Sequence, residues 1–207
     1  MKISYAITVC NELEEIKKLV PFLLQHKRVN DEIVILYDNK NGSPEVLDYL
    51  LPFNTKPNVQ TWRCFDWNNN FADFKNKLNS YCTGDYIYQL DADEMIDEYM
   101  VKNLHEILTL NPKVDLIFVP RINTVNGITE EHVKKWGWKV NEKGWINYPD
   151  YQGRIYRKNM TWYGKVHERI VGGQKFSTLP PDEEVYCIQH HKSIDKQEKQ
   201  NKFYNSI

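Results

Sequence analysis

The sequence predicts an α/β fold, a mixed and mostly parallel sheet with helices on both faces, followed by a loop- and aromatic-rich C-terminal half. Three observations predict it. Short runs of β-branched and aromatic residues alternate with stretches whose apolar residues recur at helical spacing. The runs are apolar at consecutive positions, as in strands covered on both sides. The alternation fades after Asn123, where Trp, Tyr, Gly and Lys become dense.

Taken in order, Lys2–Val9 and Glu32–Tyr37 read as strands. Between them Leu13, Ile16, Leu19, Val20, Leu23 and Leu24 mark a helix, with Asn11 and Glu14 as cap and capping-box partner and Pro21 as its kink or early end. Ser43-Pro44 opens a second helix, as cap and first-turn proline. Val59–Phe65 follows as a strand, Phe71–Cys82 as a helix, Asp85–Asp91 as a strand, Glu98–Leu110 as a helix and Val114–Asn123 as a strand. Such β-α repeats place ligands at the carboxyl ends of the strands. Gly127–Tyr163 contains strand-like pieces and no long helix, with aromatics suited to packing over a sheet edge or stacking on sugar rings. The tail Ser193–Ile207 is charged and helix-compatible.

The 207 residues are read as one domain, 1–207, with a half at 1–123 and a second at 124–207. With 27 Lys and Arg against 28 Asp and Glu, no global field draws the chain to nucleic acid or anionic membrane. The four cysteines stand far apart and none pairs at Cys-x-x-Cys spacing, so they read as reduced core thiols. MKISYAITVC lacks a signal peptide's apolar stretch, and no run is long enough to span a bilayer. The expectation is a soluble, cytoplasmic protein.

The most informative stretch is YQLDADEMID, Tyr88–Asp97. It sets Asp91, Ala92 and Asp93 at the carboxyl end of a buried strand, where two carboxylates one residue apart can hold one hard cation. Mg²⁺ or Mn²⁺ takes one or two carboxylates, with phosphates and water completing its shell. The plain alternative is a solvated turn in which Asp93 or Glu94 caps the next helix. Met95 at the third ligand position excludes an EF-hand.

Five segments then fall in a particular order: ITVCNE (Ile7–Glu12), EIVILYDNKNGS (Glu32–Ser43), FADFKNKLNSYCTGDYIYQLDADE (Phe71–Glu94), YGKVHERI (Tyr163–Ile170) and IQHHKS (Ile188–Ser193). Together they resemble glycosyltransferase family 2, which has the Rossmann-like GT-A fold. The last two resemble the His-Glu and terminal His motifs of its lipopolysaccharide-core glucosyltransferase-like branch. One departure stands at Tyr37-Asp38-Asn39-Lys40, where the family usually has Asp-Asp-Gly-Ser.

The resemblance implies inverting transfer of a sugar from a nucleotide-sugar, a UDP-sugar, to an acceptor hydroxyl. Residues 1–123 become the nucleotide-sugar half and 124–207 the acceptor and catalytic half. Thr8, Cys10, Asn11 and Glu12 would touch the nucleoside and Asp38 the uracil base. Lys75 and Arg154 would contact the diphosphate, as cationic donors do. Asp91-Ala92-Asp93 would hold the metal–diphosphate. Asp93 is the main ligand, while Asp91 ligates directly, through water, or binds the ribose. His190 or His191 would add a ligand to Mn²⁺ or Mg²⁺. Glu168 is the general base, shielded by Tyr163 and its neighbours, with His167 as its back-up or orienting group; Arg169 or Lys165 could instead engage it as a simple ion pair. The acceptor is a glycan or, if the Lys-rich stretches Lys134–Lys158 and Lys192–Lys202 rest on phosphates, a modified DNA base. Two other readings are a nucleotidyltransferase, which the acidic, glycine-free ITVCNELEE disfavours, and a non-catalytic nucleotide-sugar or glycan-binding module.

Overall fold

The computed structural model describes residues 1–204. The first strand, β1 (Ile3–Val9), leads into α1 (Leu13–His26), β2 (Glu32–Asp38) and α2 (Pro44–Leu50). Then come β3 (Val59–Cys64), α3 (Phe71–Tyr81), β4 (Tyr86–Asp91), the two-residue β5 (Glu94–Met95), α4 (Glu98–Leu110) and β6 (Leu116–Asn126). The C-terminal portion holds α5 (Glu130–Trp136), β7 (Ile146–Arg157), β8 (Thr161–Tyr163), β9 (Arg169–Val171), β10 (Phe176–Thr178), β11 (Ile188–Ser193) and α6 (Ile194–Tyr204). The last three residues of the charged tail lie outside the described residues.

One sheet runs in the order β3-β2-β1-β4-β7-β6-β11-β5, with β10 also on β6. The first four strands are parallel. β7 is antiparallel to both β4 and β6, β11 is parallel to β6, and β5 is antiparallel to β11. Strand side chains alternate between two cores, as the period of two requires. Ile33, Ile35 and Tyr37 join α1, α2 and α4 on one face, whereas Val34, Leu36 and Ile87 join α3 on the other. Each fully buried Leu or Ile on these faces stabilises by about 1.5–3 kcal/mol.

Three local expectations change. Pro21 does not end α1, which continues to His26 because Ile16, Leu19, Val20 and Leu23 bury one continuous face. Asn11 is not its cap: Glu12 holds that position and folds its carboxylate back onto the Cys10 and Asn11 N–H groups at 2.8 and 3.0 Å. The aromatic segment supplies β7, a twelve-residue strand inside the sheet rather than a cover for its edge. Its antiparallel pairing with β6 is broken by register shifts, so the sequence alternation is blurred.

Candidate active site

The turn Asp91-Ala92-Asp93 is where the curled sheet changes partners. Asp91 ends β4 opposite Thr8 of β1, and Glu94 begins β5 opposite His190 of β11. The two aspartates therefore face different neighbours. Ala92 N–H donates to the Thr8 carbonyl at 3.0 Å, and the Glu94 carboxylate accepts the Asp91 N–H at 3.0 Å, which fixes the turn. Asp97, accepting from Tyr99 N–H, caps α4, so neither Asp93 nor Glu94 is spent as a helix cap.

Asp91 sits in an inner cluster. Its Oδ1 accepts from Thr8 Oγ1 at 2.9 Å and lies 3.2 Å from Lys75 Nζ; its Oδ2 accepts from Arg154 at 2.8 Å. Arg154 also reaches the fully buried Glu94 at 2.6 Å, and Arg121 joins Glu94 to Asp150. Burial opposes ionisation of Asp91, but Arg154 and Lys75 outweigh it and hold its carboxyl well below the usual carboxylate range. Lys75, buried over the Trp162 ring, donates a hydrogen bond to Glu168 Oε1 at 2.7 Å. One ammonium thus joins the expected general base to the first aspartate. Arg154 and Lys75, expected on a diphosphate, meet the carboxylates of Asp91, Glu94 and Glu168.

Glu168 borders a cavity of about 240 Å³ walled by Trp162, Tyr151, Phe118, Arg154 and Gln152. Trp162 gives the shielding expected of Tyr163, which is 65% exposed. The ion-pair partner of Glu168 is Lys75, from a helix 93 residues earlier, a pairing that local inspection of KVHERI does not reveal. His167, at φ +55°, turns its ring toward Tyr204, and no hydrogen bond joins it to Glu168.

Asp93 sits in a second cluster. Its Oδ2 is 3.5 Å from His190 Nε2, 3.7 Å from Lys192 Nζ and 3.5 Å from Lys196 Nζ. Burial raises its carboxyl, but these three groups outweigh burial and hold it well below the usual range. His190 is the histidine that faces Asp93; His191 turns to Thr124. Asp150 accepts from Asn123 Nδ2 at 2.8 Å, which directs Asn123 Oδ1 to His190 Nδ1 at 2.7 Å. That chain occupies Nδ1 and leaves Nε2 as the ring nitrogen turned to Asp93. A carboxylate and an imidazole nitrogen facing each other are donor types that a divalent cation such as Mn²⁺ accepts. No group of three or more His, Cys, Asp or Glu among the described residues could hold a metal ion; Asp93 and His190 by themselves would leave the rest of a cation's shell to phosphate and water.

The remaining expected residues line the carboxyl ends of β1 and β2. Burial first, then Asp38 and Glu12, push the Cys10 thiol up to about 12, so it is a neutral wall. Asp38 folds inward: it accepts from Lys40 N–H, Asn41 N–H and Asn41 Nδ2 at 2.8–3.2 Å and shapes the β2–α2 loop. Burial raises Glu12, and Asn11 is exposed beside it.

Sequence reading missed Glu94, Arg121, Asn123, Asp150, Lys192 and Lys196. Glu94 and Lys192 lie inside the quoted motifs, but nothing beside Lys192 announces Asp93. Arg121, Asn123 and Asp150 carry no local signal, because only the β6–β7 pairing brings Arg121 opposite Asp150.

A curled, mostly parallel sheet with helices on both faces and carboxylates gathered at its carboxyl edge is the GT-A fold of glycosyltransferases. Residues 4–173 match the family described as glycosyl transferase family 2, and the chain belongs to it. No curated protein matches the chain. Among solved structures, S. aureus TarS residues 1–349 superposes with a TM-score of 0.64 at 14% identity, covering 92% of this chain and 60% of that one. The same TarS fragment in complex with UDP gives 0.64 at 15% identity over 91% and 60%, and in complex with UDP-GlcNAc 0.59 at 14% over 89% and 60%. The present chain thus spans 60% of that fragment. At such identity the likeness is one of fold. No helix among the described residues is long and apolar enough to cross a membrane.

Proposed function

We propose that this family 2 glycosyltransferase moves a sugar from a UDP-sugar to a saccharide hydroxyl with inversion, using Glu168 as general base and a divalent ion at Asp93 and His190. The carrying observation is the Lys75 ammonium shared between Glu168 and Asp91, at 2.7 and 3.2 Å. It holds the Glu168 carboxylate beside the carboxyl end of β4, which supports its reading as the base. The UDP and UDP-GlcNAc complexes of the similarly folded TarS support the donor class. The YGKVHERI and IQHHKS motifs support membership of the lipopolysaccharide-core glucosyltransferase-like branch. Four free cysteines suit a cytoplasmic setting.

Transfer needs a stable leaving group and a nucleophilic hydroxyl. A divalent ion would supply charge neutralisation at the diphosphate. Glu168 accepts the proton of the acceptor hydroxyl as its oxygen attacks the anomeric carbon, while the bond to the diphosphate breaks on the opposite face. Lys75 orients that carboxylate. The cavity beside Glu168, with Trp162 and Tyr151 in its wall, favours a sugar ring as acceptor. Lys192 and Lys196 point inward at Asp93, so they add nothing to a nucleic-acid-binding face.

Calorimetric titration of UDP with Mn²⁺, with chelator, and into Asp93→Ala tests the donor site. Metal-dependent binding that disappears in Asp93→Ala is expected. Equal binding in chelator and in the variant sinks the metal assignment, and no binding at all sinks the donor class. Slow UDP-sugar hydrolysis by the wild type separates an enzyme from a binding module.

A further inference from the structure

The charge around Asp93 exceeds what one carboxylate needs. Lys192 is 9% exposed, and its one hydrogen bond goes to a neutral acceptor, Gln200 Oε1, at 2.7 Å; its nearest acid is Asp93 at 3.7 Å. Buried lysines are otherwise closely paired, and an ammonium carries three donors. Lys196 divides itself between Glu15 at 2.9 Å and Asp93 at 3.5 Å. Both therefore keep donor capacity beside Asp93.

The element that carries Lys196 is also unusual. No residue of α6 is buried. At one end Lys196 meets Asp93 and Gln200 meets Lys192; at the other, Tyr204 packs its ring 5.8 Å from Phe71 and 6.0 Å from His167. The helix thus spans the gap from Asp93 to the loop bearing Glu168. Apart from Ile194 against Gly127, the contacts described above are polar or between rings, and with no buried residue the helix can open at low cost.

We infer that Lys192 and Lys196 form a cationic clamp for the donor diphosphate, with α6 the strap that brings Lys196 onto it. This rests on the donor reading above. Without donor, Glu15 and Asp93 hold Lys196. A diphosphate offers more negative charge than either acid, and its oxygens accept the ammonium hydrogens as charge-assisted bonds. Binding then pins α6 across the site, shielding the reacting centre from water. When the sugar has left, the same clamp stabilises the departing nucleoside diphosphate.

Affinities of UDP and of uridine, both with Mn²⁺, are compared for the wild type, Lys196→Ala and Lys196→Arg, together with hydrogen exchange over residues 194–204. A charged hydrogen bond predicts that Lys196→Ala weakens UDP about 10- to 100-fold. Uridine binding stays unchanged, and Lys196→Arg recovers most of the loss. Exchange in α6 slows on adding UDP to the wild type and not to Lys196→Ala. Equal loss for UDP and uridine, no loss for either, or α6 exchange indifferent to UDP overturns the clamp while leaving the donor reading intact. A wild type that binds no UDP removes both.

Discussion

The two ends of the parallel strands both bury carboxylates, and they wire them differently. At the amino end, Glu32 Oε1 accepts from Ser4 Oγ and Thr83 N–H, and Oε2 from Lys2 Nζ and Thr83 Oγ1, all at 2.6–2.7 Å. Asp31 is likewise filled by Ile3 N–H and the Arg28 guanidinium at 2.7–2.9 Å. At the carboxyl end, Asp93 Oδ2 faces only cationic or imidazole groups, at 3.5–3.7 Å. Burial of an acid is therefore no mark of function in this molecule. The distinguishing feature is coordination left open: four short donors, the Lys2 ammonium among them, complete Glu32 at 2.6–2.7 Å, whereas the groups around Asp93 stand 3.5–3.7 Å away.

The comparison breaks most visibly at Glu168. Glu168→Gln keeps the shape and removes the base, so turnover should fall about 10²- to 10⁴-fold with UDP affinity and melting temperature little changed. A variant that turns over normally would remove Glu168 from the chemistry. The next largest effect lies at Arg154, which belongs to the site by position and to the scaffold by wiring. Arg154→Met leaves Asp91 and the fully buried Glu94 without their shared partner. Removing one member of a buried charge pair costs about 3–5 kcal/mol, roughly 2–4 °C in Tm per kcal/mol for a chain of this length. Chemical denaturation measures it, and a loss under 1 kcal/mol would mean that water or Arg121 replaces the guanidinium.

The same contrast governs what could be read in advance. Residues 3–110 obey local rules: apolar strands, helical spacing and caps such as Asp97 lie within one window of sequence, and the elements fall within a few residues of their expected bounds. Asp91, Asp93, Glu168 and His190 were legible as candidates because they stand inside recognisable motifs. Their wiring was not. Lys75 reaches Glu168 across 93 positions, and Arg154 reaches Asp91 across 63, through a strand whose insertion between β4 and β6 no local pattern signals. Lys192 and Lys196 read as a solvated basic tail because nothing in their own neighbourhood announces Asp93, a hundred residues earlier.

The smallest effect expected is at the amino end, and it sharpens the comparison by showing stability without activity. Burial pushes the Glu32 carboxyl up, but hydrogen bonds from Lys2, Ser4 and Thr83 outweigh it and hold it at about 2. A carboxyl whose folded value is depressed contributes stability that is complete above its unfolded value, near 4.3, and is lost as pH falls through the folded value. Glu32→Gln retains part of the hydrogen bonding and loses the charge, so at pH 7 it should cost about 1–3 kcal/mol. The gap between wild type and variant in urea denaturation should stay constant from pH 7 to about 5 and then close toward pH 2. Turnover of the folded variant should match the wild type, since Glu32 lies at the end of the sheet away from Asp91 and Asp93. A gap that persists undiminished at low pH would mean that shape rather than charge holds Glu32. Lost turnover in folded Glu32→Gln would mean that the two ends are coupled through β1, whose Ser4 and Thr8 touch one carboxylate each.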